Sequence, residues 1–419
     1  MSALTVPFGI SSSARSLPKL DGEDFVVARS KGARLFNTEG RNFVDYGMAM
    51  GATLLGHAHP AVVEACIAAL ENGPMPGFSN AIEDPAGAAL ARIGGERVTR
   101  ATFATTGTEA VHLACRIARG ATGRRLIAKA VGGYDGWFDP VRFGLTGSPE
   151  AERGNQRPVK EGTTLFRVNE TADVDQLFDE MGEDLAAILV EPMLGNTGCL
   201  VPDRAFFEYL TQRARANGTL IIADEVMVGL RRGVRLVSEE LGLLPDLVTL
   251  GKAIGSGVPV AAVLGTPAAF EVVENGTVPC FGTYHGNPLV ASAVLATMAV
   301  LEDKLLYRRL FDWGAALRQA MTDAFAAEGI VAITTGFDSV FSLWFTDEAP
   351  RTYDEAKAKL QPDATRLVSE SLRRNGVIAL PAAWGRYFIS ASHGDAEMDV
   401  TVRAFRQAAR DLAQSGFRG

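Results

Sequence analysis

The stretch Thr219-Leu-Ile-Ile-Ala-Asp-Glu225, followed by Leu247-Val-Thr-Leu-Gly-Lys252, decides the fold. Both runs are short, apolar on both faces and rich in β-branched residues, which suits strands buried inside a parallel sheet. Each delivers charge at its C-terminal end, the first as Asp224-Glu225 and the second as Gly251-Lys252. Open α/β sheets bind ligands in the crevice outside those ends. An acid and a lysine projecting from neighbouring strands into one crevice suit pyridoxal phosphate (PLP) chemistry. The amine condenses with an aldehyde, and the carboxylate pairs with a pyridinium nitrogen and keeps it protonated.

Taken singly, these residues have blander readings: a lysine after glycine as a solvated loop residue, an acid at a strand end as a helix cap. Other motifs fail. Gly251-Lys252 is followed by Ala253, so the Ser or Thr of a phosphate-binding P-loop is missing, and Gly255-Ser256-Gly257 does not complete a dinucleotide fingerprint.

Working outward, Ala101 to Ala104, Arg125 to Ala128, Ala186 to Val190 and Pro259 to Leu264 read as further strands alternating with helices, which implies a largely parallel sheet with right-handed crossovers. Thr105-Thr-Gly-Thr-Glu-Ala110 turns into a helix. Its free N–H groups make an anion site, while read alone it is an ordinary N-cap. Tyr134, in Gly132-Gly-Tyr-Asp-Gly136, stands at a strand end where an aromatic stacks on a flat cofactor or packs on the core. A helix from Pro60 to Gly73 is expected to bury Val62, Val63, Cys66, Ile67 and Leu70. Phe143 to Gly162 reads as a mobile loop. Ser339 to Phe345 and Tyr387 to Ser392 read as half-buried strands of a second unit. The expected divisions are 1–58, an N-terminal arm and strands joining the small domain; 59–298, a large cofactor-binding domain; and 299–419, a small α+β domain.

With 419 residues, 47% hydrophobic and 21% charged, the composition is that of a globular protein. A net charge of -8 argues against general affinity for nucleic acid or acidic membranes. No apolar stretch is long enough to cross a bilayer, and Met1 to Pro18 lacks a secretory pattern. Cys66, Cys115, Cys199 and Cys280 are isolated, which fits a reduced, cytoplasmic setting. His57-Ala-His59 has no accompanying ligands, so no metal site is expected.

In order, Gly56-His-Ala-His-Pro60, Thr106-Gly-Thr-Glu-Ala110, Tyr134-Asp-Gly136, Glu191-Pro192, Ala223-Asp-Glu-Val226, Leu250-Gly-Lys-Ala253 and Gly282-Thr-Tyr-His-Gly-Asn-Pro288 resemble the class III, fold type I PLP-dependent aminotransferases. The likeness runs nearly end to end, nearest to the branch of glutamate-1-semialdehyde aminomutase and the β-amino-acid aminotransferases. It implies an α/β fold with a large, mostly parallel seven-stranded sheet domain and a smaller α+β domain. It implies PLP held by Lys252 as internal aldimine, Asp224 on the ring nitrogen, and Val226 and Tyr134 on opposite ring faces. Thr106, Gly107 and Thr108 then match the phosphate turn, and Glu191 and Asn196 match positions near the ring and its hydroxyl. Thr283 matches a threonine reaching the phosphate from a neighbouring subunit, which implies a homodimer with shared active sites.

The implied reaction moves an amino group from an amino acid, β-amino and other unusual ones included, to a 2-oxo acid or carbonyl acceptor in a ping-pong cycle. Two arginines are candidates for a substrate carboxylate. Arg15, with Ser12 beside it, matches the mutase residue, and Arg386, in Trp384-Gly-Arg-Tyr-Phe388, resembles that of β-amino-acid aminotransferases. Three departures favour a transaminase over the mutase: Asp135 where histidine is usual, Met50 for tryptophan, and Gly385 where an acid is expected. The stretch Phe143 to Gly162 also differs from the mutase lid. A non-catalytic binding protein of the same fold is the reading from another class.

Overall fold

In the computed structural model, residues 5–142, 162–380 and 383–417 are described. The N-terminal strands β1 (Val27–Lys31), β2 (Arg34–Asn37) and β3 (Asn42–Asp45) form an antiparallel meander. The main sheet follows, from β4 (Arg100–Ala104), β5 (Leu126–Ala130), β6 (Thr163–Phe166), β7 (Leu185–Val190), β8 (Leu220–Asp224), β9 (Leu247–Leu250) and β10 (Ala261–Gly265). Its seven strands run in the order β4-β10-β9-β8-β7-β5-β6. All neighbours are parallel except β10, which is antiparallel to both β4 and β9. The expected α/β class and buried central strands are found, β7 and β9 being buried at every residue.

Toward the C-terminus, β11 (Ile333–Phe337), β12 (Val340–Trp344) and β14 (Arg386–Phe388) make a small antiparallel sheet. Between them in sequence, β13 (Val377–Ile378) pairs with β3, so the N-terminal strands are joined to the C-terminal part of the chain.

Three expectations need correction. β12 is buried throughout rather than half-buried, because both faces are covered: Phe341 stacks on Tyr387, whose ring meets Phe405 of the helix Asp395–Gln414, while Val340 and Ser342 lie against the cluster that holds Met48 and Cys199. The helix Pro60–Glu71 starts at its proline as expected, yet Val63, Ile67 and Leu70 are exposed and Val62 and Ala69 face the core. The long helix Lys304–Ala326, capped by Asp303 through the Leu305 N–H, has no counterpart among the sequence expectations. Of the stretch Phe143 to Gly162, all but Gly162 lies outside the described residues.

Arg231 ties these parts together. Its guanidinium is fully buried and donates to the carbonyls of Ser339 (3.0 Å), Ile389 (3.1 Å) and Gly51 (2.6 Å), above the Phe388 ring. No helix among the described residues is long and apolar enough to cross a membrane.

Candidate active site

β8 and β9 lie side by side, with Asp224 paired to Thr249. Successive residues of a strand point to opposite faces, so the acid pair splits. Glu225 turns inward and accepts hydrogen bonds from the N–H groups of Val237 and Ser238 and from the Ser238 hydroxyl. Asp224 faces the crevice, where its Oδ1 accepts from the Val226 N–H (2.9 Å) and the Thr249 hydroxyl (3.0 Å). Lys252 follows β9 at the start of a short 3-10 turn, Lys252–Gly255, with φ of 45°. A left-handed backbone at a non-glycine residue costs about 1–3 kcal/mol and persists only where its surroundings fix it.

Asp224 and Lys252 wall a cavity of about 200 Å3. Gly107 and Thr108 close one side. They open the helix Gly107–Thr122, whose N-cap Thr106 forms a capping box with Glu109. The turn is therefore both a cap and an anion site, since the first N–H groups of a helix have no intrahelical acceptor and the helix dipole favours negative charge there. Glycine is required at 107 by a close approach: a Cβ would stand 2.8 Å from Val226 Cγ1. Val226 itself lies past the end of β8, in the following turn, and reaches the cavity from there.

Tyr134, partly exposed, lines the cavity mouth. Its N–H donates to Glu191 Oε1 (2.8 Å), while the Gly195 N–H donates to Oε2 (3.2 Å). Asn196, in the turn Gly195–Thr197, also reaches the wall.

Burial sets the electrostatics. It pushes Asp224 up to about 7, helped by the charge of Asp135 and opposed by the Val226 and Thr249 donors and by Lys252. It pushes Glu191 up to about 8, again with Asp135 and Asp224 adding repulsion. Lys252 is pushed down to about 8 by burial and then by the Arg386 charge, against the pull of Glu191 and Asp224. Acids and base all titrate near neutrality, which is where proton transfer needs them.

Of the expected site residues, Gly107, Thr108, Tyr134, Glu191, Asn196, Asp224, Val226 and Lys252 meet at this cavity, with Thr106 as the cap behind it. Arg386 stands beside it, its Nη1 3.9 Å from Met227 Sδ and its Nε buried without a hydrogen-bond partner among the described residues. Ser12 and Arg15 lie on the exposed N-terminal arm and do not line the cavity, nor does the exposed Thr283. The sequence reading overlooked Thr249 and Met227, and it took Asp135 only as a departure from a pattern. Thr249 was findable: it is the polar residue in β9, across from Asp224.

These residues fit PLP by the chemistry of their donors. A buried amine poised near neutrality suits the aldehyde, a carboxylate whose Oδ2 has no hydrogen bond among the described residues suits the ring nitrogen, and a helix start suits the phosphate.

The pattern of the family described as aminotransferase class-III matches residues 19–383. A glutamate-1-semialdehyde 2,1-aminomutase of Thermomicrobium roseum is 34% identical, over 97% of this chain and 96% of that protein. Among solved structures, a transaminase with PLP bound superposes with a TM-score of 0.85 at 27% identity, covering 98% of this chain and 96% of the other. A β-phenylalanine aminotransferase of Variovorax paradoxus gives 0.85 at 26% identity, covering 96% and 90%. With its fold, its cavity and a family match over most of its length, the chain belongs to the class III aminotransferases.

Proposed function

We propose that this aminotransferase carries PLP in the Asp224–Lys252 cavity and takes amino groups from carboxylate-bearing amines, β-amino acids among them, for transfer to a 2-oxo acid or carbonyl acceptor. The observation that carries the reading is the meeting of Lys252, Asp224 and the Gly107–Thr108 helix start around one cavity. When bound, PLP supplies the aldehyde that condenses with amines and the ring that accepts the electron pair left when a Cα–H bond breaks.

The chain's residues divide the remaining work. Lys252 Nζ holds the cofactor and, once released, takes the donor's Cα proton and gives it back. A lysine pushed down to about 8 is a usable base near neutral pH. Asp224 Oδ2 holds the ring-nitrogen proton. The N–H groups at Gly107 and Thr108 bind phosphate, Tyr134 and Val226 cover the two ring faces, and Glu191 with Asn196 flanks the ring edge. Arg386 receives the substrate carboxylate, since its Nε has no hydrogen-bond partner among the described residues and its charge acts on Lys252. Arg15 with Ser12 is the alternative carboxylate site.

The protein acts as a cytoplasmic homodimer, with Thr283 completing the neighbouring subunit's phosphate site. The exposure of Phe281 and Tyr284 on either side of Thr283 supports this reading. A small-molecule donor and acceptor are its partners, without nucleic acid or membrane.

The test is a panel of α-, β- and ω-amino donors run as single half-reactions and followed by cofactor absorbance, with Lys252→Ala beside the wild type. Carboxylate-bearing donors are expected to discharge the wild-type absorbance, and Lys252→Ala is expected to lose both absorbance and turnover. Normal turnover by a folded Lys252→Ala protein would sink the assignment. The aminomutase reading, favoured by the Thermomicrobium roseum relative, is decided in the same panel by conversion of glutamate-1-semialdehyde without any added acceptor.

A further inference from the structure

We propose that Asp135 is a positioning residue that acts on the cofactor's ring nitrogen through Asp224, with Lys129 as its fixed counter-charge. The inference rests on Asp224 as the partner of that nitrogen.

Lys129 sits in β5, a strand that is otherwise apolar, and is fully buried. Its ammonium donates to the carbonyls of Gly133 (2.9 Å) and Val141 (2.8 Å) and stands 3.0 Å from Asp135 Oδ2. Those three partners match the three donors of an ammonium group, so its charge is held in place. Asp135 is 1% exposed, and apart from this ion pair neither of its carboxylate oxygens has a hydrogen-bond partner among the described residues. Asp135 lines the same cavity as Asp224, and Lys129 does not. The pair is therefore oriented, with its negative member toward the cofactor site.

A buried ion pair of this kind adds little stability over apolar residues of similar volume. What it does supply is a fixed anion at the cavity wall. The other titratable groups that feel it are Cys115 from the helix Gly107–Thr122, Glu191 after β7 and Asp224 at the end of β8. Lys252, on the same cavity wall, acts on Asp224 with the opposite sign.

The direction of the effect follows from charge. An anion near Asp224 raises that carboxyl's affinity for a proton, as its upward shift reflects after the larger effect of burial. A ring nitrogen bound to Asp224 experiences the same field, so its proton is held to higher pH than Asp224 alone would hold it. Burial pushes the Asp135 carboxyl up, and the charge and hydrogen bond of Lys129 oppose that rise, so the 3.0 Å ion pair is what favours the carboxylate there.

The experiment uses holoenzyme reconstituted with PLP labelled with 15N at the ring nitrogen, whose chemical shift separates pyridinium from pyridine, titrated across pH. Asp135→Asn strands Lys129 as an unpaired buried cation, so the Lys129→Met/Asp135→Asn double variant, which removes both charges, is titrated beside it. For folded Asp135→Asn the midpoint for loss of the nitrogen proton is expected about one pH unit below wild type, the effect of one nearby charge in a partly screened interior, and for the double variant a smaller downward shift of about 0.5 unit, because Asp135 lines the cavity and the Lys129 charge removed with it lies behind. A midpoint for the double variant within about 0.2 unit of wild type overturns the proposal, because a purely structural pair would leave it there. Asp224→Asn is the control. If it leaves the 15N signal unchanged, the placement of the ring nitrogen has failed, a result distinct from an Asp224-dependent signal that ignores Asp135.

Discussion

Lys252 and Arg386 share one electrostatic environment. Burial and then the Arg386 charge together lower the lysine to about 8, against the pull of Glu191 and Asp224. Replacing Arg386 by Gln removes a cation, so Lys252 should rise, and the pH at which apoprotein takes up PLP fastest should move to the alkaline side. The same substitution should raise KM for carboxylate donors by roughly 10- to 100-fold, the loss of a charge-assisted pair worth about 1.5–3 kcal/mol. It should leave simple amines nearly unaffected. Steady-state kinetics with matched donors checks both, and equal losses for the two donor kinds would remove Arg386 from the carboxylate role. At this scale Asp224 and Lys252 were legible because charge at the end of an apolar run stands out. Asp135 was not, because its meaning depends on Lys129, a residue just beyond the stretch read as strand, and no local pattern announces that their side chains meet.

The helix Gly107–Thr122 makes one turn serve cap and ligand together. Gly107→Ala would place its Cβ against Val226 Cγ1, and overpacking of this kind costs about 1–3 kcal/mol. Because Val226 also lines the cavity, PLP affinity should fall by about tenfold in equilibrium dialysis, beyond any shift in Tm; the affinity ratio corresponds to about 1.4 kcal/mol. Unchanged affinity would mean that Val226 yields away from the ring. Elements of the main sheet could be read from short apolar runs bounded by charge and glycine. The Pro60–Glu71 helix was found but faced wrongly, since Val63, Ile67 and Leu70 continue the apolar pattern of Val62 and Ala69 and periodicity alone does not say which of them meets the core. The Lys304–Ala326 helix escaped because it directly follows another helix, with only a short break at Asp303.

At the scale of the whole molecule, the exposed Val63, Ile67, Phe281 and Tyr284 match the proposal that two chains share their sites. Thr283→Ala and Lys252→Ala are then defects of different sites. Mixed and reassociated, the two inactive or weakened proteins should form hybrids with one intact site, recovering up to about half of wild-type activity per hybrid. A mixture no more active than the Thr283→Ala parent would rule out sharing. The parallel order of the central strands followed from the βα alternation, but the reversed β10 did not, because an apolar strand reads alike in either direction.

Arg231 gives this architecture a clock. Its last acceptor, the carbonyl of Ile389, lies 158 residues downstream, which at ribosomal speeds of 5–20 residues per second is about 8–30 s of synthesis. Until then a cation destined for the interior has only part of its cage and must stay in water. The surfaces that finally enclose it, around Gly51 and Phe388, stay apart as well. The cage around Arg231 therefore cannot close in a nascent chain until the strand Arg386–Phe388 and the residue after it have been made.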